Sequence, residues 1–383
     1  PPVQQLADKI SAIFVPAVIG IAVLTFLLNY FAFGISETQS LMRSIAVLVI
    51  SCPCAMGLAT PAAIAVGLGR AARSGILFRN AKSLELFRHI KTMVFDKTGT
   101  LTMGKPVLKT LHSDMEEEAF KRILFSLEKF SNHPIAKAVA DACKNNSPIA
   151  WKKIEEIKGE GMGAEDAEGN TYQLGAYGIA KALTDEQSHS AYLLINGQLR
   201  GWIDVEDSIR PEALQVIRYL HDKGIQTVLL SGDNQTRTQQ IASELGIDTI
   251  YAEKKPEEKL AIIEQLNKTA PVAMVGDGIN DAPALAKASI GISMSDATQL
   301  AMQTAQVVLT SKGIQHLPLA LGLGKHTFIT IKENLFWAFI YNVFAIPVAA
   351  IGLLSPGVAA LAMGFSDLIL AINSIRLNYK KVV

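Results

Sequence analysis

The chain has 383 residues, 49% of them hydrophobic and 19% charged, with 36 lysines and arginines against 35 aspartates and glutamates. So apolar a composition excludes intrinsic disorder, and a net charge of +1 gives no electrostatic case for nucleic-acid binding. Three cysteines are too few for a disulfide framework. The charge is concentrated between Arg70 and Glu333, with long uncharged stretches on either side. That is the pattern of a membrane protein with a large aqueous insert. The chain opens on Pro1-Pro2, and its first apolar run lacks the basic leader and small-residue cleavage site of a signal peptide. The start is therefore expected to be an internal cut.

The first candidate span covers residues 10–33 and the second 44–69, bounded by Arg43 and Arg70. A bilayer needs about 20 apolar residues per helix, and both runs meet that length. The second contains Ser51-Cys52-Pro53-Cys54. Proline in a helix removes a donor and is expected to free the carbonyl four residues back, that of Val49. Cys52 and Cys54 flank that break in an apolar setting that is a poor place for a structural bridge. Two thiolates there are soft ligands suited to copper(I), zinc or cadmium; the plainer reading is two packing cysteines beside a kink. Cys143 stands alone and reads as a small buried hydrophobe.

Between the spans, short β-branched runs end in polar loops. Residues 92–95 lead into Asp96-Lys97-Thr98-Gly99-Thr100-Leu101-Thr102, residues 226–230 into Ser231-Gly232-Asp233, and residues 271–275 into Gly276-Asp277-Gly278-Ile279-Asn280-Asp281. Helix-like stretches at 211–223 and 235–245 alternate with them. Strand–loop–helix alternation predicts a parallel sheet with helices on both faces, and ligands bind beyond the carboxyl ends of such strands. The three loops are expected to converge. There Asp96 can attack phosphorus, Asp277 can hold Mg2+ through oxygen, and Lys259 and the Ser231 region can neutralise phosphate oxygens. Asn280 and Asp281 can brace the loop. Any one of these loops alone could be an ordinary Gly-Asp turn.

Residues 107–202 interrupt the two strand groups and read as an inserted α+β module, helix-like at 116–129 and 135–144 and strand-like at 192–195. His133-Pro134 is by itself an ordinary helix start, and the glycines 159, 161 and 163 form either a turn or a close approach to a ligand. Residues 334–353 and 358–375 are the third and fourth spans, joined by an expected tight turn at 354–357. The fourth carries Asp367, a carboxylate that should face the bundle interior. Tyr341, Asn342 and Met363 on these spans are otherwise ordinary packing residues. Arg70, Arg73, Arg79, Lys325 and Lys332 flank the insert, while the loop 34–40 carries only Glu37. The insert and the C-terminus are thus expected in the cytoplasm.

Taken in order, Cys-Pro-Cys within a span, Asp-Lys-Thr-Gly-Thr-Leu-Thr and Gly-Asp-Gly-Ile-Asn-Asp resemble a heavy-metal-transporting P-type ATPase over essentially the whole chain. The resemblance implies a multidomain protein: transmembrane helices, a haloacid-dehalogenase-like α/β phosphorylation domain, and an inserted α+β nucleotide-binding domain. The expected boundaries are 1–79 for two spans, 80–106 and 203–325 for the phosphorylation domain, 107–202 for the nucleotide domain and 326–383 for a membrane hairpin. It implies ATP and Mg2+ as cofactors, phosphorylation of Asp96, and Mg2+ on Asp96, Asp277 and the Thr98 carbonyl. Lys97, Thr98, Ser231, Gly232, Asp233, Lys259, Asn280 and Asp281 complete the catalytic set. Glu128, His133, Gly159 and Gly161 are expected around adenine and ribose, although the usual Ser-Glu-His-Pro reads Ser131-Asn132-His133-Pro134 here. Tyr341-Asn342, Met363 and Asn373-Ser374 look like the copper(I) class, with Cys52, Cys54 and Asp367 completing the transported-ion set. Asp367 itself is more reminiscent of zinc pumps, so Zn2+ is the alternative cargo. Asp8 bears a weak likeness to an entry-site acid.

The resemblance further implies an integral membrane protein, expected in a bacterial inner membrane with cytoplasmic catalytic domains, in contact with lipid and a metal-delivering chaperone, and without nucleic acid. No Thr-Gly-Glu or Cys-x-x-Cys occurs here. An actuator domain and further spans are therefore expected on the full-length chain, and this portion alone is expected not to complete turnover. The competing functional reading is a membrane-anchored haloacid-dehalogenase-like phosphatase.

Overall fold

The computed structural model describes residues 2–145, 147–157, 161–187, 189–277, 281–295, 297–310 and 313–383, with side chains outside 2–10 and 54. The chain divides into two compact units, Pro1–Asp96 with Glu212–Val383, and Lys97–Pro211.

In chain order the first unit begins with α1 (Pro2–Leu27), α2 (Glu37–Ile50), α3 (Cys54–Arg73), β1 (Ile76–Phe78), α4 (Ala81–Leu86) and β2 (Thr92–Asp96). The second unit holds β3 (Thr102–Ser113), α5 (Glu117–Glu128), α6 (Pro134–Ala142), β4 (Lys153–Ile157), β5 (Gly161–Glu165), β6 (Thr171–Gly175), β7 (Ala191–Ile195) and β8 (Gln198–Ile209). The first unit resumes with α7 (Ala213–Asp222), β9 (Gln226–Leu230), α8 (Gln235–Leu245), β10 (Thr249–Tyr251) and α9 (Pro256–Thr269). Then come β11 (Val272–Gly276), α10 (Ala282–Lys287), β12 (Ile290–Met294), α11 (Gln299–Thr304) and β13 (Val307–Leu309). The long α12 (Leu317–Ala350) and α13 (Pro356–Arg376) close the chain.

The first unit's sheet has the order β1-β13-β12-β11-β2-β9-β10, parallel except for β1. Strands β2, β11 and β12 are buried along their whole length, as apolar strands in a covered parallel sheet must be. Ile263, Ala284, Leu285 and Ala301 from α9, α10 and α11 pack against Val94, Val228 and Met274. The chain runs from β2 to β9 on one side and later to β11 on the other, so β2 lies at the switch point of the sheet. Asp96 is level with Leu230, and Phe95 with Val275. That register brings the ends of all three strands to one edge.

The second unit is a six-stranded antiparallel sheet, β3-β8-β7-β6-β5-β4. Helices α5 and α6 bury Phe120, Leu124, Leu127 and Val139 against Leu174, Leu193 and Ile203. Cys143 is a free, buried member of that core, and burial pushes its thiol up to about 11. Strands β3 and β8 pair from Thr102 to Ile209, outside the expected 107–202.

Among the described residues, four segments are long and apolar enough to cross a membrane: Ser11–Ala32, Glu37–Arg73, Gly313–Ala350 and Pro356–Arg376. The second expected span is two helices, broken at Ser51 to Pro53. The Val49 carbonyl is not freed by Pro53 as expected; it accepts the Cys52 N–H at 3.3 Å in a tighter turn. The turn before α13 also lies earlier than expected. Gly352 has φ +88°, and Pro356 is already helical with the Ser355 hydroxyl capping the Val358 N–H. Small residues let the helices approach: Ala22, Ala46, Ala345, Ala349 and Ala359 form one cluster. Asn334 on α12 donates to the Ala59 carbonyl at 3.1 Å and to the Ser374 hydroxyl at 2.9 Å, tying α3, α12 and α13 together.

Helix α12 has 34 residues, about 51 Å at 1.5 Å each, against a hydrocarbon thickness of about 30 Å. Its first turns therefore extend past the bilayer and pack on the α/β layer. Gly324 permits this, since a Cβ there would stand 2.7 Å from the Leu84 carbonyl and 2.8 Å from the Phe87 Cβ. Gly324→Ala should therefore destabilise the chain by about 1–3 kcal/mol. Gly20→Ala, in open space on α1, should not destabilise it. Thermal unfolding of both variants in detergent checks this; equal midpoints would contradict the packing assignment.

Candidate phosphorylation site and nucleotide cavity

Asp96 is the last residue of β2, so the strand holds its backbone while the carboxylate emerges at the sheet edge. Lys259, one turn into α9, reaches it at 2.5 Å and reaches Asp281 at 2.8 Å. A capping box positions that helix start: the Glu258 carboxylate accepts the Lys255 N–H at 2.8 Å. All three side chains are almost completely buried. Carboxylate oxygens of Asp96, Asp277 and Asp281 lie within 4.8 Å of one another.

This arrangement carries more negative charge than Lys259 neutralises. Burial, then the neighbouring Asp281, push the Asp96 carboxyl up to about 7 despite the lysine. Burial opposes the charge on Lys259, but Asp96 and Asp281 outweigh it and hold the ammonium above its ordinary value. The family expectation of Mg2+ fits here: the donors are hard carboxylate oxygens clustered within 4.8 Å of one another. Asp96 and Asp277 would hold the ion, with Asp281 beside them.

Ser231 is buried at the end of β9, where its hydroxyl accepts the Asp233 N–H at 3.1 Å. Its carbonyl accepts from Lys254 and its N–H donates to Tyr251, fixing the loop that includes Gly232. The first unit thus brings together Asp96, Asp277, Asp281 and Lys259. Asn280 lies outside the described residues.

In the second unit, Lys97 is buried and Thr98 exposed. Gly99 turns the loop with φ +71°, a conformation that favours glycine. The Thr102 hydroxyl accepts the Gly99 N–H at 3.2 Å and sits between the Lys97 carbonyl and the Asp207 carboxylate. Arg210 donates to the Gly99 carbonyl at 2.8 Å and the Thr102 carbonyl at 3.1 Å. Asp207 and Arg210 were not foreseen. They stand over 100 residues along the chain, and an Asp and an Arg three apart before a helix carry no signal of their own.

The same unit contains a cavity of about 260 Å3 walled by Glu128, Ser131, His133, Glu156, Gly161 and Met162, among others. His133 caps α6 through Nδ1, which accepts the Ile135 N–H at 3.3 Å. Gly161 has φ +130°, and a Cβ there would meet the Leu174 carbonyl at 2.1 Å. The glycine is required for β5 to pair with β6 beside the cavity. Gly159 lies outside the described residues. Glu156 was not anticipated; it repels Glu128 across the cavity.

Burial first, and Glu156 second, push Glu128 up to about 7. A carboxyl raised on folding binds a proton more tightly in the folded state. Its contribution is therefore favourable at low pH and declines as pH rises from about 4.5 to 7, by up to about 3 kcal/mol. Unfolding followed through Trp151 and Trp202 should show this decline, and Glu128→Gln should flatten it. An unchanged pH slope in the variant would contradict the assignment.

The transported-ion candidates lie in the break before α3 and on α3, α12 and α13. Ala55, Ala338 and Leu370 pack together. Asn342 is one turn beyond Ala338, while Asp367 and Met363 are one and two turns before Leu370, so each shares the face that meets the start of α3. The Tyr341 hydroxyl and one Asp367 carboxyl oxygen are buried without a hydrogen-bond partner among the described residues. Cys52 is in a disulfide, contrary to the expectation of no bridge at this position, and offers no thiolate in that state. The side chains of Cys54 and Asp8 lie outside those described.

A family model for haloacid dehalogenase-like hydrolases matches residues 90–289. A copper-exporting P-type ATPase of Staphylococcus aureus (strain USA300) is 41% identical over 98% of this chain and 49% of its own. One from Staphylococcus saprophyticus is 42% identical over 100% of this chain and 50% of its own. The chain thus spans about half the length of these curated relatives. The crystal structure of a zinc-transporting PIB-type ATPase in the E2.Pi state superposes with a TM-score of 0.87 at 31% identity, covering 97% of this chain and 63% of that one. The catalytic CPx-ATPase domain CopB-B gives a TM-score of 0.52 at 28% identity over 68% of this chain and 98% of its own. The membrane helices, the haloacid dehalogenase-like sheet with Asp96 at its switch point, and these relatives together establish that the chain belongs to the heavy-metal P-type ATPase family.

Proposed function

We propose that this chain carries the catalytic machinery and part of the membrane path of an ATP-driven copper(I) exporter. The observation that carries the reading is Asp96 at the end of β2, ion-paired with Lys259 and clustered with Asp277 and Asp281. Its carboxylate attacks the γ-phosphorus of ATP, an acyl-phosphate bond forms, and ADP leaves with the electrons of the broken P–O bond. Mg2+, when bound, offsets charge on the phosphate oxygens. Lys259 orients Asp96 and offers its ammonium to the transferring group. The Glu128–His133–Gly161 cavity supports a nucleotide subsite.

Copper(I) is favoured by the thioether of Met363 and the thiol pair around Pro53, which are soft donors once Cys52 is reduced. The curated relatives, named copper exporters, support the same ion. The second reading is a divalent ion such as Zn2+, favoured by the unpartnered Asp367 carboxyl oxygen. Basic residues flanking the insert support a cytoplasmic catalytic side, in a bacterial inner membrane.

The test is phosphoenzyme formation by the full chain in detergent, with γ-labelled ATP, Mg2+ and a thiol reductant. Acid-stable, hydroxylamine-sensitive label should appear with copper(I) and be absent in Asp96→Asn and Cys52→Ser. Lys259→Met should slow labelling by about 100-fold or more. Label that persists in Asp96→Asn would overturn the catalytic assignment, and dependence on zinc alone would replace the ion.

A further inference from the structure

Where α12 leaves the α/β layer, a cavity of about 290 Å3 lies between the residues after α4, the end of α7, the start of α12 and the chain end at Val382. Arg88, Lys91, Lys223, Lys325 and His326 line it, and no aspartate or glutamate among the described residues does. Arg88 is held in place by its guanidinium, 3.2 Å from the centre of the Phe328 ring. The Lys223 ammonium lies 5.0 Å over the Tyr219 ring. The nearby carboxylate acting on Arg88 is Glu85, which does not line the cavity. The His326 Nδ1 is buried without a hydrogen-bond partner among the described residues. The walls therefore present clustered positive charge to a single hollow.

Its depth is informative. Lys325 precedes the end of α12 at Ala350 by 25 residues, about 37 Å along the axis. The hydrocarbon layer is about 30 Å thick and the head-group layers extend the bilayer to about 40–45 Å. With Ala350 at the far edge of the hydrocarbon, the cavity opens about 7 Å beyond the near edge, at head-group level, on the side that carries the α/β domain.

We propose that this cavity binds a phosphate-bearing anion, and that its source is the head group of an anionic phospholipid. The proposal rests on the membrane-spanning fold and is independent of which ion is transported. Strong, flexible cations at the bilayer surface are the chemistry by which such head groups are recognised.

Thermal unfolding of the full chain in detergent is followed while phosphatidylglycerol, phosphatidylcholine or inorganic phosphate is titrated. Phosphatidylglycerol should raise the midpoint and phosphatidylcholine should not. In Lys91→Gln/Lys325→Gln, half-saturation should need about thirtyfold more phosphatidylglycerol, and in Lys223→Gln about fivefold more. Lys105→Gln/Lys109→Gln, with the same charge change elsewhere, should match the unaltered chain. A variant-sensitive response to inorganic phosphate as well would support the site with free phosphate as a ligand. Equal responses to the two lipids, or equal half-saturation in the chain and its cavity variants, would overturn the proposal.

Discussion

The Lys259 ammonium, wedged between the buried carboxylates of Asp96 and Asp281, is the interaction on which the catalytic half of this molecule depends. Removing one partner of a buried ion pair costs about 3–5 kcal/mol, because the other charge is left uncompensated. Here three carboxylates converge at the edge that the lysine occupies. The consequence is an acid site that favours a further cation and an electrophilic phosphate. The parallel sheet makes this possible by ending β2, β9 and β11 at one edge.

The membrane half is organised by a different constraint. Every buried polar group there needs a partner, and Asn334, Ser374 and the Ala59 carbonyl satisfy one another across three helices. At the opposite end, Asn29 donates to the Thr25 and Ala350 carbonyls and accepts from Arg43 at 2.6 Å. Between these two knots lie the broken segment at Pro53 and the Tyr341 and Asp367 atoms without a partner among the described residues. The helix bundle is thus fixed at both ends around a polar middle. Since α12 runs unbroken from the sheet into this bundle, the catalytic layer and the membrane layer share one rigid element.

Much of this was legible in the residues. Buried strands followed by polar loops gave away the sheet and its reactive edge, because apolar runs of strand length have few alternatives when each ends in Gly and Asp. The inserted unit and the four apolar segments were legible for the same reason. The extent of α12 was not: Lys325, His326, Lys332 and Glu333 interrupt the apolar run, yet the helix continues because Gly324 packs it on Leu84 and Phe87. Asp207 and Arg210 were invisible because their roles arise where β8 pairs with β3, and Glu156 because it meets Glu128 only across the cavity of the folded unit. The break before Pro53 was legible, but its hydrogen bonding was not, since the backbone tightened to pair Val49 with Cys52.

The most direct measurement is the Mg2+-induced shift in unfolding temperature of the full chain, compared with Asp277→Asn and Lys259→Met. The charge account predicts a rise with Mg2+ in the unaltered chain and a much smaller rise in Asp277→Asn. It also predicts a larger rise in Lys259→Met, where the ion takes over the missing countercharge. A rise of the same size in all three would contradict the claim that the carboxylate cluster is the cation site at the centre of the chemistry.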